Sequence, residues 1–388
     1  MIMSNESSLA ERVTERLSIA TLTGLPIRYY IAVLAFISLA LFPSVFPVLT
    51  VLQMVAALYF VMFVISWDFV SGYTGQVSFG HTLFFAIGGY ATTLLNLEYG
   101  VAPAVGVVVG VALAAIAGLL LSLPALRIEG HYLALFTLLP PLILLQVFQM
   151  YRDTFGGSQG LRNAEPLIDA GDFVATANAS YYLTLAAFVL VFGVTWVITR
   201  SDTGAIFTAV KESEDAVTSV GINPNKFKVY AFVVSAAIGG FAGALFVHTP
   251  AGSASPSQLL ELSVMIEILL AGIIGGFGTI TGAVVGGFLI YWGLEWFSRL
   301  DWTIPVIDVT VGSIHNLLFF TLLLLMLLYL SEGLVPWLTE KGTQLRTRNR
   351  DDEPNAVADG GRTSENRTLH RCYESCVELL DQFTNDDR

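Results

Sequence analysis

Long apolar runs separated by short polar stretches dominate this chain. Ten runs stand out, at about 29–48, 51–70, 82–97, 102–124, 131–150, 181–199, 227–249, 259–275, 282–298 and 312–330. Most are roughly 17–23 residues long, the length at which a helix rising 1.5 Å per residue crosses a hydrocarbon core of about 30 Å. The pattern predicts an all-α membrane protein: a polytopic transmembrane helix bundle of about ten spans, some of them interrupted. The third and ninth runs are short enough to be half-spans. Pro43, Pro47, Pro140 and Pro141 predict kinks or helix ends, since proline removes a helical donor and crowds the preceding turn.

The second and third runs flank Gly72-Tyr-Thr-Gly-Gln-Val-Ser-Phe-Gly-His81. Unpaired backbone in hydrocarbon is expensive, so broken backbone at membrane depth survives only inside protein or along a wet path. Gly72, Gly75 and Gly80 permit close helix approach, and Thr74, Gln76 and Ser78 beside Tyr73 offer neutral hydrogen bonds. The segment is therefore expected to line a translocation pathway, with helix packing as the plainer alternative. Acids within a span face a partner or water. Asp68 and Glu267 are accordingly expected either to line the same cavity or to bond a neighbouring helix. His81 and His315 read as packing histidines rather than ligands. Gly272, Gly276, Gly278, Gly282 and Gly286 repeat at small-x-x-x-small spacing, which predicts close helix crossing, inside the bundle or else at a seam with another subunit.

Two connecting loops are long. Residues 151–180 contain Gly156, Gly157 and Gly160, the acids Asp153, Glu165, Asp169 and Asp172, and an N-glycosylation acceptor pattern at Asn178-Ala-Ser180. Residues 200–226 predict a polar helix with Asp202 or Thr203 as cap and Gly221 then Pro224 as its stop. Ala216, Val217, Val220 and Ile222 form an apolar contact rimmed by Lys211, Glu212, Glu214 and Asp215. Such a helix suits docking into another protein's cleft, and equally an ordinary solvated loop. With the N-terminus placed in the cytoplasm, 16 of the 19 Lys and Arg residues fall on the cytoplasmic side. This satisfies the positive-inside rule for a cell-membrane protein with both termini cytoplasmic.

Composition sharpens the class. The chain has 388 residues, 54% hydrophobic and only 13% charged, against about 25% charged in soluble domains. Its net charge of −12 fits either adaptation to high salt or a simple acidic tail. Cys372 and Cys376, the only cysteines, imply no disulfide framework. With His370 they number three potential metal ligands. The same stretch (Leu369, Cys372, Cys376, Leu379, Leu380, Phe383) also makes an apolar helical stripe, and no metal or cofactor is expected. No phosphate-binding Gly-x-x-x-x-Gly-Lys-Ser/Thr motif occurs, so the chain predicts no ATP site of its own. The five histidines are scattered and most acids lie in loops, so no enzyme activity and no nucleic-acid partner are expected.

Several motifs in order resemble one family. They are Gly72–His81 followed by Phe84-Phe-Ala-Ile-Gly-Gly-Tyr90, the external Gly156-Gly-Ser-Gln-Gly-Leu161, the 200–226 loop running into Lys228-Val-Tyr-Ala-Phe-Val-Val-Ser-Ala-Ala-Ile-Gly-Gly-Phe-Ala-Gly-Ala-Leu, and Ser263-Val-Met-Ile-Glu-Ile-Leu-Leu-Ala-Gly-Ile-Ile-Gly-Gly-Phe-Gly-Thr. Over roughly 29–330 the chain resembles permease subunits of branched-chain amino-acid ABC importers, of the LivM type. The resemblance implies a segment 1–28 in the cytoplasm, a transmembrane domain over 29–340 and a polar tail over 341–388. It also implies a second permease subunit, two cytoplasmic ATPase subunits docked on the 200–226 loop, an extracellular binding protein, and the lipid bilayer around them. There are departures. Glu214-Asp-Ala-Val replaces the family's usual Glu-Ala-Ala-like core, and Asp68 stands where relatives carry Asn. The remaining alternatives are a permease of the same superfamily for a sugar, nucleoside or urea, and an ion-coupled secondary carrier.

Overall fold

The computed structural model describes residues 27–128, 130–299, 303–304, 309–310, 314–329 and 333–341. The readings on residues 1–26 and on the tail with His370, Cys372 and Cys376 lie outside them. The ten apolar runs correspond to ten helices: α1 (Ile27–Val45), α2 (Val48–Thr74), α3 (His81–Tyr99), α4 (Pro103–Ala125), α5 (His131–Met150), α6 (Phe173–Thr199), α9 (Pro224–Phe246), α10 (Leu262–Gly276), α11 (Ile280–Ser298) and α12 (His315–Tyr329). Between α6 and α9 lie two short helices, α7 (Asp202–Glu212) and α8 (Glu214–Ser219). Among the described residues, seven segments are long and apolar enough to cross a membrane unaided: α2, α4, most of α5, α6, α9, Pro256–Gly276 and α11. Strand structure is confined, among the same residues, to the two-residue antiparallel pairing of Thr303–Ile304 with Val309–Thr310. The all-α polytopic expectation holds.

The bundle is built around α2. Most of its side chains from Val51 to Val70 are buried, and it packs against α6, α9, α10 and α11. By contrast α4, α5 and α6 carry exposed apolar residues such as Val108, Leu120, Ile143 and Leu190. Apolar side chains face outward while hydroxyls are buried, the arrangement a hydrocarbon surrounding favours. A second nucleus is formed by α3, α4 and α9, which cross where Gly88, Gly110 and Gly240 meet. A Cβ on Gly88 would land on the Gly240 backbone, and one on Gly240 would land on Ala114. The predicted glycine seam is internal as well: Gly275 of α10 lies against Gly282 and Gly286 of α11.

Two helix boundaries differ from expectation. α2 continues four residues beyond 70, because Thr74 donates its hydroxyl to the Val70 carbonyl at 2.8 Å and remains helical. α6 starts eight residues before 181, since Asp172 caps it by accepting from Val174 N at 3.2 Å. Asn178 thus sits within a helix and not in a loop. Of the prolines, Pro47 separates α1 from α2, whereas Pro43, Pro140 and Pro141 lie inside helices that continue through them. The described residues up to Trp337 belong to one compact unit; Leu338–Lys341 belong to a second, of which no more is described.

Candidate functional site

The glycine-rich segment is the end of one helix and a turn into the next. Gly72, Tyr73 and Thr74 complete α2. Gly75 then closes it at φ 72°, a left-handed conformation that favours glycine. The link to α3 folds back on α2. Trp67 donates its indole N–H to the Ser78 carbonyl at 2.8 Å, and Ser71 donates to the Gln76 carbonyl at 3.2 Å. Thr137 of α5 accepts from Phe79 N at 3.0 Å. The Ser78 hydroxyl accepts from Gly80 N at 3.2 Å and the Thr74 hydroxyl donates back to the Val70 carbonyl of α2, so both buried hydroxyls are engaged locally. Gln76 is half-buried, and Gly75 and Val77 are the exposed positions. His81 places Nε2 2.8 Å from Ser235 Oγ, as a packing histidine does. The side chain of His315 lies outside the described set.

Asp68 is one turn before this break and 1% exposed. Its Oδ1 accepts from Gly278 N, in the turn between α10 and α11, at 2.8 Å, while Oδ2 has no hydrogen-bond partner. Gly72 is what lets that turn approach: a Cβ there would stand 2.5 Å from Gly278 N. The Tyr73 hydroxyl accepts from Ile280 N at 3.2 Å. From the other side, Lys211 of α7 donates to the Gly72 carbonyl at 2.8 Å and stands 4.7 Å from the centre of the Phe277 ring. Asp68, Gly72, Tyr73, Phe277, Gly278 and Lys211 therefore form one cluster. Glu267 is not part of it. It is half-buried on α10, 11 residues before Gly278, a rise of roughly 16 Å along a helix. The broken backbone thus stands at the end of the bundle that carries the 200–226 loop.

That loop is a helical pair rather than one helix. Ser213 interrupts it and caps α8 by accepting from Ala216 N at 3.2 Å. Neither Asp202 nor Thr203 is the α7 cap; Ser201 takes that position. Gly221 ends the pair at φ 82°, as its sequence context predicts. Val217 packs inward, while Ala216 and Val220 are exposed. With Ile206, Ala209 and Ile222 they line a shallow apolar groove edged by Glu212. Asp215 stays on the exposed face. Glu214 turns back to pair with Lys228 of α9, which is 4% exposed.

Sequence patterns missed three polar junctions. Ser66 of α2 and Ser235 of α9 exchange hydroxyl-to-carbonyl hydrogen bonds at 2.7 and 2.6 Å. Buried Lys228 pairs with Glu214, which is partly open to water. At the end of the bundle opposite α7, His248 stands 2.9 Å from Thr92 Oγ1 through Nε2 and 2.6 Å from the Glu165 carbonyl through Nδ1. Asn96 accepts from Glu165 N at 2.9 Å. These contacts fasten the 151–172 loop across α3 and α9. Burial holds the His248 ring below the ordinary histidine range, against the opposing pull of Glu165. Beside it Arg162, Asn163, Thr249 and Ser253 line a polar recess of about 370 Å³.

Comparison with known proteins adds to this geometry. Residues 49–329 match the family described as branched-chain amino acid transport system / permease component. The high-affinity branched-chain amino acid transport system permease protein LivM of Escherichia coli is 28% identical over 292 residues, covering 69% of this chain and 65% of that protein. The probable branched-chain amino acid transport permease protein LivH of Methanocaldococcus jannaschii is 26% identical, over 56% of this chain and 70% of that protein. The ribose import permease protein RbsC of Haemophilus influenzae is 26% identical, over 52% and 62% respectively. The chain thus spans about two thirds of the length of its LivM relative. No solved structure matches.

Proposed function

Because this chain belongs to the family of branched-chain amino acid transport permease components, we propose that it is the membrane-spanning permease subunit of an ABC importer that carries branched-chain amino acids. The observation that carries this reading is the α7–α8 pair: an exposed apolar groove held against the same end of the bundle as the α2–α3 break. Since the sequence has no phosphate-binding loop, the free energy comes from ATPase subunits docked on that groove. Their closure moves α7 and α8, and with them the helices behind, so that a path opens alternately to the two sides. In this reading both termini face the cytoplasm, the chain pairs with a second permease subunit, and two ATPases work the pair. The recess by Arg162 and Ser253, at the far end, faces an extracellular binding protein. The Gly72–Gly80 segment, Asp68 and Glu267 border the path. The chain binds and releases solute but performs no bond chemistry.

The test is uptake of labelled leucine by proteoliposomes that contain the chain, its ATPases and its binding protein. Uptake that requires ATP and is blocked by isoleucine or valine supports the proposal. Competition by ribose instead would favour a sugar permease, a reading supported by the 26% identity to the RbsC protein. Uptake driven by an ion gradient without any ATPase would replace both with a secondary carrier.

A further inference from the structure

Besides the packing of buried Phe207 of α7 against Phe69 of α2, two charged tethers fasten the α7–α8 pair to the bundle. On one side Glu214 of α8 pairs with buried Lys228 of α9. On the other, Lys211 of α7 reaches the Gly72 carbonyl. α9 and α2 are themselves joined by the reciprocal Ser66–Ser235 hydrogen bonds. Movement of the pair is therefore delivered to two helices that already act together.

The two tethers differ in one respect. Lys228 has a carboxylate partner. Lys211 rests on a neutral carbonyl, although the buried carboxyl group of Asp68 lies one helical turn before that carbonyl. Asp68 and Lys211 both border Gly278: Asp68 Oδ1 accepts from its N–H, and a Cβ there would stand 3.2 Å from Lys211 Nζ. Asp68 Oδ2 is buried and makes no hydrogen bond of ordinary geometry, although the Thr279 backbone also faces the carboxyl group. The ammonium carries three donors, and the carboxylate has one oxygen unoccupied. Transfer of Nζ from the Gly72 carbonyl to Oδ2 exchanges one charge-assisted hydrogen bond for another, so neither position excludes the other by a large margin.

On the permease reading given above, we propose that Asp68 and Lys211 form a two-position latch that couples the docking pair to α2 and to the 276–279 turn. In the conformation described, Lys211 holds the end of α2 while Asp68 holds the turn. When the docking pair moves, Lys211 passes to Asp68, and α2 and the turn become tied to α7 through one ion pair. Asp68 and Lys211 are positioning residues: neither needs to touch solute.

The experiment measures amide hydrogen exchange on the full-length chain in lipid nanodiscs, for wild type, Asp68→Asn, Lys211→Met, Lys211→Arg and the Asp68→Asn/Lys211→Met double variant. Asn keeps the acceptor for Gly278 N and removes only the charge. Asp68→Asn, which removes the second position and leaves the Gly72 contact in place, is expected to speed exchange over 202–212 about twofold, the share of one of two near-equal positions. Lys211→Met, which loses both positions, should speed it about tenfold, the factor for losing one charge-assisted contact, the double variant no more than Lys211→Met alone, and Lys211→Arg should stay near wild type. Asp68→Asn effects confined to 276–280, or single-variant factors that multiply in the double, overturn the latch. ATP-driven uptake measured on the same variants should follow the same non-additive order. A wild-type chain that takes up no solute with its ATPases refutes the permease reading and the latch's part in transport together. Exchange data that separate the two residues refute the latch alone.

Discussion

Lys228 and Glu214 are joined across the turn between α8 and α9, with the lysine buried at 4% exposure and the acid at the rim. The pair fixes where the docking surface stands relative to the bundle. Removing one member of a buried pair leaves an uncompensated charge, which costs about 3–5 kcal/mol, whereas replacing both can be near neutral. Glu214 is partly open to water, so the lower end applies. Glu214→Gln should lower the unfolding temperature clearly, and Lys228→Met/Glu214→Gln should restore most of the loss. A thermal shift of the purified chain in detergent checks both.

The crossing of α3, α4 and α9 has no room for side chains at Gly88 and Gly240. Gly240→Val forces backbones apart in a packed interior, at a cost of about 1–3 kcal/mol or more. We expect reduced folded yield and a lower melting temperature. Gly100→Ala, at a site open around the Cβ position, is a control for yield but carries the strain of a left-handed backbone. Gly193→Ala, within α6 and with nothing near that position, is the neutral control.

The docking groove makes a separate prediction. Val220 is 72% exposed, so Val220→Asp should leave the chain's melting unchanged. A charge in the centre of an apolar contact should weaken recovery of the ATPase subunits with the chain by about tenfold or more. Equal recovery from wild type and variant would place the contact elsewhere.

His248 gives a pH dependence. Burial depresses its folded-state affinity for a proton below the ordinary value of 6.5. The unfolded chain then binds more protons in the window just below that value. Stability from this group is full above about 6.5 and falls as pH drops through it toward the lower folded value. The melting temperature of wild type should decline over that window, and His248→Gln should flatten the decline while losing stability at neutral pH.

Much of this architecture is legible in the sequence, because membrane spans are set by length and apolarity and those are local quantities. The ten runs become ten helices for that reason. Gly221 before Pro224 also announces its helix end, since a left-handed stop is a one-residue requirement. The interruption at Ser213 was readable too: Ser followed by Glu214-Asp215 is an N-cap with acids in the first turn. It was obscured by the helical periodicity on both sides. What the sequence could not disclose is pairing at a distance. Asp68 meets Gly278 across 210 positions, and Ser66 meets Ser235 across 169. Thr74 and Ser78 look like free hydrogen-bonding groups in the sequence. Only the structure shows their hydroxyls engaged locally, Thr74 with the Val70 carbonyl and Ser78 with Gly80 N.

The account rests on the docking pair facing the cytoplasm. Ser219 is exposed at the end of α8. In a chain carrying Cys372→Ser, Cys376→Ser and Ser219→Cys, a membrane-impermeant maleimide applied to intact cells should leave residue 219 unlabelled and should label it once the membrane is opened. Labelling of residue 219 from outside intact cells would contradict the account.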